Sequence, residues 1–382
     1  MQLHWFLPTT GDGHGVVRAD GGALTGGAAS PRPPTLDYLA LVAQAAEFAG
    51  FESVLTPVGT WAEDPWLTTA ALLGSTRRLR FLVALRADAM SPTLAAQMAA
   101  TYQRLSAGRL LLNVVTGGDR GEQHRFGDWL DHDERYARTE EFLAVFRGAS
   151  TGVPFDLDGR YLRVAGATVH TRPEPMPPVF LGGSSDPSLR VSARYADVHL
   201  TWAEPLDALT DTVSRLQRFA AAAQRQVAVG VRVHVISRQT ADEAWDHAER
   251  LLAGMDREQI EQAHHRFAAA DSVGQRRMAA LHGGQGDRLV VGPNLWAGIG
   301  LLRRGAGLAL IGSHDQVADR LEEYAAVGIA HVILSAQPHL EEAVRIGEEL
   351  FPVLRARGLL SVPPDLPAGQ PIWPHRRVEG IR

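Results

Sequence analysis

The sequence contains no cysteine, which removes disulfides, thiolate nucleophiles, zinc thiolate sites and iron-sulfur clusters from consideration. It contains no lysine either, so all 38 basic residues are arginine. Schiff-base chemistry, a lysine-anchored pyridoxal phosphate and a P-loop lysine are thereby excluded. Base composition alone can produce such an arginine bias, but the chemical exclusion holds either way. There is no run of about 18 apolar residues, so no membrane-spanning helix is predicted. The polar start at Gln2 and His4, with an early Pro8, lacks the basic and apolar regions of a signal peptide. A cytoplasmic location is the expectation. Neither charge sign is in excess: 38 basic against 43 acidic residues leave a net charge of -5, and nothing electrostatic argues for nucleic acid or an anionic membrane. The expected partners are small molecules and further copies of the chain, as a homo-oligomer. No metal site is predicted, since the 15 histidines include no His-x-His after the first strand and no H-E-x-x-H.

What is present is enough for a large core: 382 residues, 45% hydrophobic and 21% charged. Short β-rich runs alternate with amphipathic stretches. Strands are predicted over Gln2 to Leu7, Glu52 to Pro57, Leu79 to Leu85, Leu110 to Val115, Pro178 to Gly182, Asp197 to Trp202, Val227 to Ser237 and Ala330 to Ser335. Helices are predicted over Leu36 to Phe48, Thr93 to Leu105, Glu134 to Arg147, Leu206 to Ala222 and Gln316 to Ala326. Helices alternating around eight strands predict an α/β fold, a (β/α)8 TIM barrel. An open doubly wound sheet fits less well, because no G-x-G-x-x-G follows the first strand. The chain reads as one barrel domain over 1–358 with a Pro-rich tail over 359–382. Its insertions are 9–34, 116–133, 151–176 and 253–313, the third read as a hairpin around Asp158-Gly159. The others are placed to roof the C-terminal face, where barrel enzymes keep their sites.

The seventh strand carries the strongest chemical signal. Strand residues two apart share a face, so Val229, Val231, Val233 and Val235 point one way while Gly230, Arg232, His234 and Ile236 point the other. A cation beside an imidazole on an inward wall suits a small anion that undergoes chemistry; an Arg paired with a core carboxylate beside a satisfied His is the alternative. Gly182-Gly183-Ser184-Ser185 closes the fifth strand and opens a helix, which suits either a phosphate cradle or a plain helix cap. Tyr136 either reaches the same phosphate or packs its helix on the barrel. Asn113, near the end of the fourth strand, offers both donor and acceptor to a flat imide ring, unless loop backbone satisfies it. Trp202 either floors the pocket or is structural. Arg303-Arg304, flanked by glycines, reads as a mobile anion clamp or as solvated surface.

Together these motifs resemble a known family. Trp5-Phe6-Leu7-Pro8-Thr9 with Gly11-Asp12-Gly13-His14, Phe81 to Arg86, Asn113 to Asp119, Gly182 to Ser185, Leu200-Thr201-Trp202, Val231 to Val235, Asp271 to Gln275 and Asn294 to Gly298 are similar to the bacterial luciferase-like flavin monooxygenases. The likeness is specifically to FMNH2-dependent alkanesulfonate monooxygenases, and it runs from the first strand to about Arg355. It implies reduced FMN (FMNH2) as co-substrate, delivered by a separate NAD(P)H-dependent FMN reductase, and O2-dependent cleavage of an alkanesulfonate to aldehyde and sulfite. By the same resemblance Arg232, His234 and Arg303 are catalytic, and Trp202, Arg232, Arg303 and Gln337 bind substrate. Asn113, Glu122, Arg135, Tyr136, Ser184 and Ser185 contact flavin. His234 would handle protons near neutral pH. Three positions depart from the family pattern: Ala62 stands for a usual Cys, Gln337 for a usual Tyr, and Thr10 for a frequent His. These changes leave open a related oxygenase acting on another organosulfur compound, or a flavin-binding accessory protein without turnover.

Overall fold

The computed structural model describes residues 1–15, 31–253, 255–286 and 288–361. Eight parallel strands close into a barrel: β1 (Gln2–Phe6), β2 (Ser53–Thr56), β3 (Arg80–Arg86), β4 (Leu110–Val115), β5 (Val179–Gly182), β6 (Val198–Trp202), β7 (Ala228–Arg238) and β8 (Ile329–Ser335). Each pairs with the next in chain order, and β8 closes on β1 with Trp5 opposite Leu334. Every predicted strand is found, with ends that move by at most one residue.

Local chemistry explains the helices between them. The helix Leu36–Ala49 starts where the Thr35 side chain accepts from Tyr38 N–H and stops at Gly50, whose φ of 96° is the left-handed cap that glycine adopts without a Cβ penalty. Ser91 caps Pro92–Ser106, with proline at its first turn, and Asp131 with Glu134 forms a capping box on His132–Ala149. No helix among the described residues is long and apolar enough to cross a membrane.

Alternation along the strands builds two cores. Inside the barrel, Phe6, Leu55, Leu82, Leu111, Phe180 and Ile333 pack together with neighbours from β6. Outside, Val229, Val231, Val233 and Val235 are fully buried in the strand-to-helix layer, as their shared face requires.

The stretch 253–313 holds more structure than a loop insertion. It contains helices Arg257–Ala268 and Val273–His282, an antiparallel hairpin of Val290–Gly292 with Leu295–Trp296, a turn of 3-10 helix at Gly298–Leu301, and a strand at Ala309–Ser313. That strand runs parallel to the second half of β7, pairing Ala309 with His234 and Ser313 with Arg238. The Arg232 carbonyl accepts from Ala203 N–H, and His234 N–H donates to the Leu308 carbonyl. Residues two apart present their backbone to the same edge, so this strand takes over the edge that β6 leaves. Between α-helical and barrel elements, Phe155–Asp158 and Arg163–Ala167 form the predicted antiparallel hairpin, and Glu141 accepts from the N–H groups of Arg160, Tyr161 and Leu162 at its turn. Most of the Gly-rich first loop, residues 16–30, and the Pro-rich tail from 362 onward lie outside the described residues.

Candidate active site

A cavity of about 480 Å³ opens at the C-terminal ends of the barrel strands, the face where a (β/α)8 barrel gathers side chains from several strands and their following loops. Three regions of its wall differ in chemistry.

The first is a helix start. Ser185 is the N-cap of the ten-residue helix Asp186–Tyr195, yet its side chain makes no capping hydrogen bond, and its buried Oγ has no partner. Ser184 Oγ lies 3.2 Å from Thr201 Oγ1. A Cβ on Gly183 would come within 2.6 Å of both Ser188 Oγ and the Tyr136 hydroxyl, so only glycine lets those groups converge. Tyr136 is buried on its helix and donates to the Gly182 carbonyl at 3.5 Å. The Ser185 hydroxyl over the N–H groups of a helix start suits an anion such as a phosphate.

The second region is flat and polar. Asn113 lies on the inner face of β4, opposite Ala84 on β3 and Phe180 on β5; it is buried, and its Oδ1 has no partner. Nearby, Arg86 is held by Asp88, by Gln123 and, at 3.5 Å, by Glu122. Glu122 also accepts from Thr60 N–H at 3.1 Å. Glu122 lines the cavity with its carboxylate bound to both Arg86 and Thr60.

The third region is cationic. Arg232 on β7 and Arg303, just past the 3-10 turn, are half-buried and line the cavity, and among the described residues neither forms an ion pair. The pairing of an inward Arg with a core carboxylate is thus not what the structure shows. Burial and the like charge of Arg303 lower the Arg232 pKa to about 9, and burial lowers that of Arg303 to about 10. Both guanidinia sit over the Phe6 ring, with Cζ 4.2 Å and 5.6 Å from its centroid.

His234 lies on the same face of β7, fully buried, with Nδ1 3.0 Å from Ser335 Oγ and no partner for Nε2. Burial, then the charges of Arg303 and Arg232, hold its pKa well below the usual imidazole value. It is neutral at physiological pH in this state, rather than poised near neutrality as the residue type alone suggests. Over the site, Arg304 pairs with Asp119 at 3.3 Å, Gly305 N–H donates to Gln275 Oε1 at 2.9 Å, and the Trp202 indole packs against Gly274.

The cavity wall thus includes Asn113, Glu122, Tyr136, Ser184, Ser185, Trp202, Arg232 and Arg303. Three of the expected residues are not part of it. His234 lies behind the wall; Arg135 is buried, donating to the Leu130 carbonyl and facing Asp271 at 3.6 Å; and Gln337 is buried at the end of β8. Sequence reasoning also missed groups. Phe6 lines the cavity under the guanidinia. Asp12 and His339 form a buried pair, Nδ1 to Oδ1 2.9 Å, in which Asp12 also accepts from Tyr38 and from the N–H groups of Gly13 and His339. Asp12 keeps a pKa of about 2, through its charge pairing and hydrogen bond with His339 outweighing the opposing effect of burial. The inward phase of β1, with His4 and Phe6 two apart, was the available signal for Phe6; nothing in the sequence joins residues 12 and 339.

The structure is a closed (β/α)8 barrel whose C-terminal face carries a helix start suited to an anion, a flat polar wall and two guanidinia without an ion-pair partner among the described residues. The chain belongs to the luciferase-like monooxygenase family, whose model matches residues 1–331. Among solved structures it is similar to riboflavin lyase (RcaE) with modified FMN and substrate riboflavin, at 20% identity and a TM-score of 0.77, covering 94% of this chain and 92% of that one. It is similar also to EDTA monooxygenase (EmoA) from Chelativorans sp. BNC1, at 20% identity and 0.72, covering 94% and 95%. Long-chain alkane monooxygenase (LadA) gives 20% identity and 0.72, covering 95% and 93%. At such identities the likeness is one of fold.

Proposed function

We propose that this protein is the oxygenase of a two-component system, taking reduced FMN from a separate NAD(P)H-dependent reductase and using O2 to cleave alkanesulfonates to aldehyde and sulfite. The observation that carries this reading is the pair of guanidinia, Arg232 and Arg303, on the cavity wall without an ion-pair partner among the described residues. An uncharged alkane would leave both charges desolvated without a partner, whereas a sulfonate offers oxygens that guanidinium forks bind bidentately. The likeness to EDTA monooxygenase, named for an anionic substrate, agrees with this.

The residues present fit FMN. Ser184, Ser185 and Tyr136 with the helix start would hold its phosphate, and the orphaned Oδ1 of Asn113 would meet a ring N–H. Reduced FMN, when bound, supplies the two electrons with which O2 is divided between the aldehyde carbonyl and water, the sulfur leaving as sulfite with release of one proton.

The chain's own part is positioning and charge. Arg232 and Arg303 orient the sulfonate and favour negative charge building on its oxygens as the carbon-sulfur bond breaks. His234, behind the wall with Nδ1 3.0 Å from Ser335 Oγ, joins β7 to β8 two residues past Arg232 and, as a neutral imidazole, adds no charge to compete with the two guanidinia for the anion. Trp202, Arg304 and Gly305 line the cavity, where a bound ligand would displace water from the reacting groups.

The test is sulfite release with an added flavin reductase and NAD(P)H across sulfonates of different chain length. Reductase-dependent sulfite supports the proposal. Tight NADPH binding with flavin reduction by the isolated chain, or no sulfite from any sulfonate, overturns it.

A further inference from the structure

Two like-charged guanidinia share one end of the cavity with no carboxylate among the described residues paired to either, and something must hold them there. Backbone contacts hold only the main chains, that of Arg232 in β7 with its carbonyl accepting from Ala203 N–H, and that of Arg303 in the 253–313 excursion with its N–H donating to the Ile299 carbonyl. The acidic group that Arg303 feels is Asp12, whose oxygens accept from Tyr38, Gly13 and His339. What both guanidinia have in common is the ring of Phe6, 2% exposed at the end of β1, with Arg232 Cζ 4.2 Å and Arg303 Cζ 5.6 Å from its centroid. A cation within about 6 Å of an aromatic centroid is attracted by the negative face of the ring, more strongly where water is excluded.

We propose that Phe6 is the positioning residue of the anion clamp: its π face gathers the Arg232 and Arg303 guanidinia beforehand, and so sets the affinity of the site for the oxyanion end of its substrate. The ring's own place in the barrel is fixed, wedged among Leu55, Phe180 and Ile333 and tilted against His339 at 5.6 Å. Without that platform the two charges would separate, and the anion would have to bring them back at the cost of ordering two flexible side chains. The proposal rests on the preceding functional reading for the identity of the anion, but its test does not need turnover.

Fluorinated phenylalanines at position 6 keep the ring's shape while withdrawing electron density from its face. The measurement is the dissociation constant of inorganic sulfate, by calorimetry on the flavin-free protein, with FMN affinity as the control. Expected is a stepwise weakening from phenylalanine through mono- and difluoro to trifluorophenylalanine, reaching roughly tenfold, with FMN affinity unchanged. Phe6→Leu should weaken sulfate at least as much, and Phe6→Tyr should retain it. A flat fluorination series, or no sulfate binding by the unmodified protein, overturns the proposal and makes the ring barrel filling only. A falling series with no sulfite from any sulfonate keeps the platform and discards the alkanesulfonate reaction; a flat series with sulfite release intact does the reverse.

Discussion

Replacing Arg232 with methionine should make the protein more stable and useless for binding sulfonate. Arg232 has no ion-pair partner among the described residues, and burial with the neighbouring Arg303 charge lowers its pKa from the usual guanidinium value to about 9. A base depressed in the folded state costs stability wherever it is charged in both states, so the cost is complete below about pH 9 and fades only as the pH rises toward the ordinary guanidinium range. Taken whole, such a depression corresponds to on the order of 5 kcal/mol. The side chain borders a cavity that water enters, which screens it, and a net gain of about 1–2 kcal/mol is the working figure. For a chain this long that raises Tm by on the order of 2 °C. Methionine has a similar reach and can still cover Phe6. Thermal unfolding at pH 7, with and without sulfate, is the assay: sulfate should stabilise the wild type by binding its folded form and leave Arg232→Met unmoved. Sulfite production should fall by roughly 100-fold or more, the usual loss for a positioned charge donor in a closed site. A lower Tm for Arg232→Met, with sulfate protection retained, would refute both the unpaired charge and the anion site.

Other outcomes follow from the same geometry. Ser185→Ala should leave Tm within about 0.5 kcal/mol equivalent, because the hydroxyl caps nothing, yet weaken FMN roughly tenfold by equilibrium titration; equal loss of both would show a structural cap instead. Gln275→Ala, which removes the acceptor for Gly305 N–H, should speed tryptic cleavage after Arg303 and Arg304, and reduced FMN should slow it again; cleavage indifferent to both would make this segment ordinary surface. Burial lowers the pKa values of His199 and His331 to about 4, so the unfolded chain takes up protons that the folded barrel excludes, and stability should fall between pH 6.5 and 4. His199→Asn should make that fall shallower in a Tm-against-pH series, and an unchanged slope would show that His199 does not contribute.

Much of the barrel was legible because its signal is local. The run Leu110-Leu111-Leu112-Asn113-Val114-Val115 reads as a strand with one polar inward position, and the structure keeps those bounds. The four valines of β7 announce a face, and that phase alone puts Arg232 and His234 together on the other. The strand at Ala309–Ser313 was hidden inside an expected insertion because its partners are the far half of β7, some 70 residues earlier, and the two-residue strand Leu295–Trp296. The same limit applies to the pair formed by Asp12 and His339.

The site divides along that line. Residue type and spacing determined that a cation and an imidazole share one strand face, that hydroxyls open a helix after β5, and that no thiol or amine chemistry is possible. Only the folded chain decided that Arg232 and Arg303 meet over Phe6 without a paired carboxylate among the described residues, that His234 is held neutral behind the wall, that Glu122 is spoken for by Arg86 and Thr60, and that Arg135 and Gln337 do not line the cavity. Periodicity is a property of neighbours along the chain, whereas burial, pairing and protonation depend on atoms that different strands bring together, and no sequence window contains them.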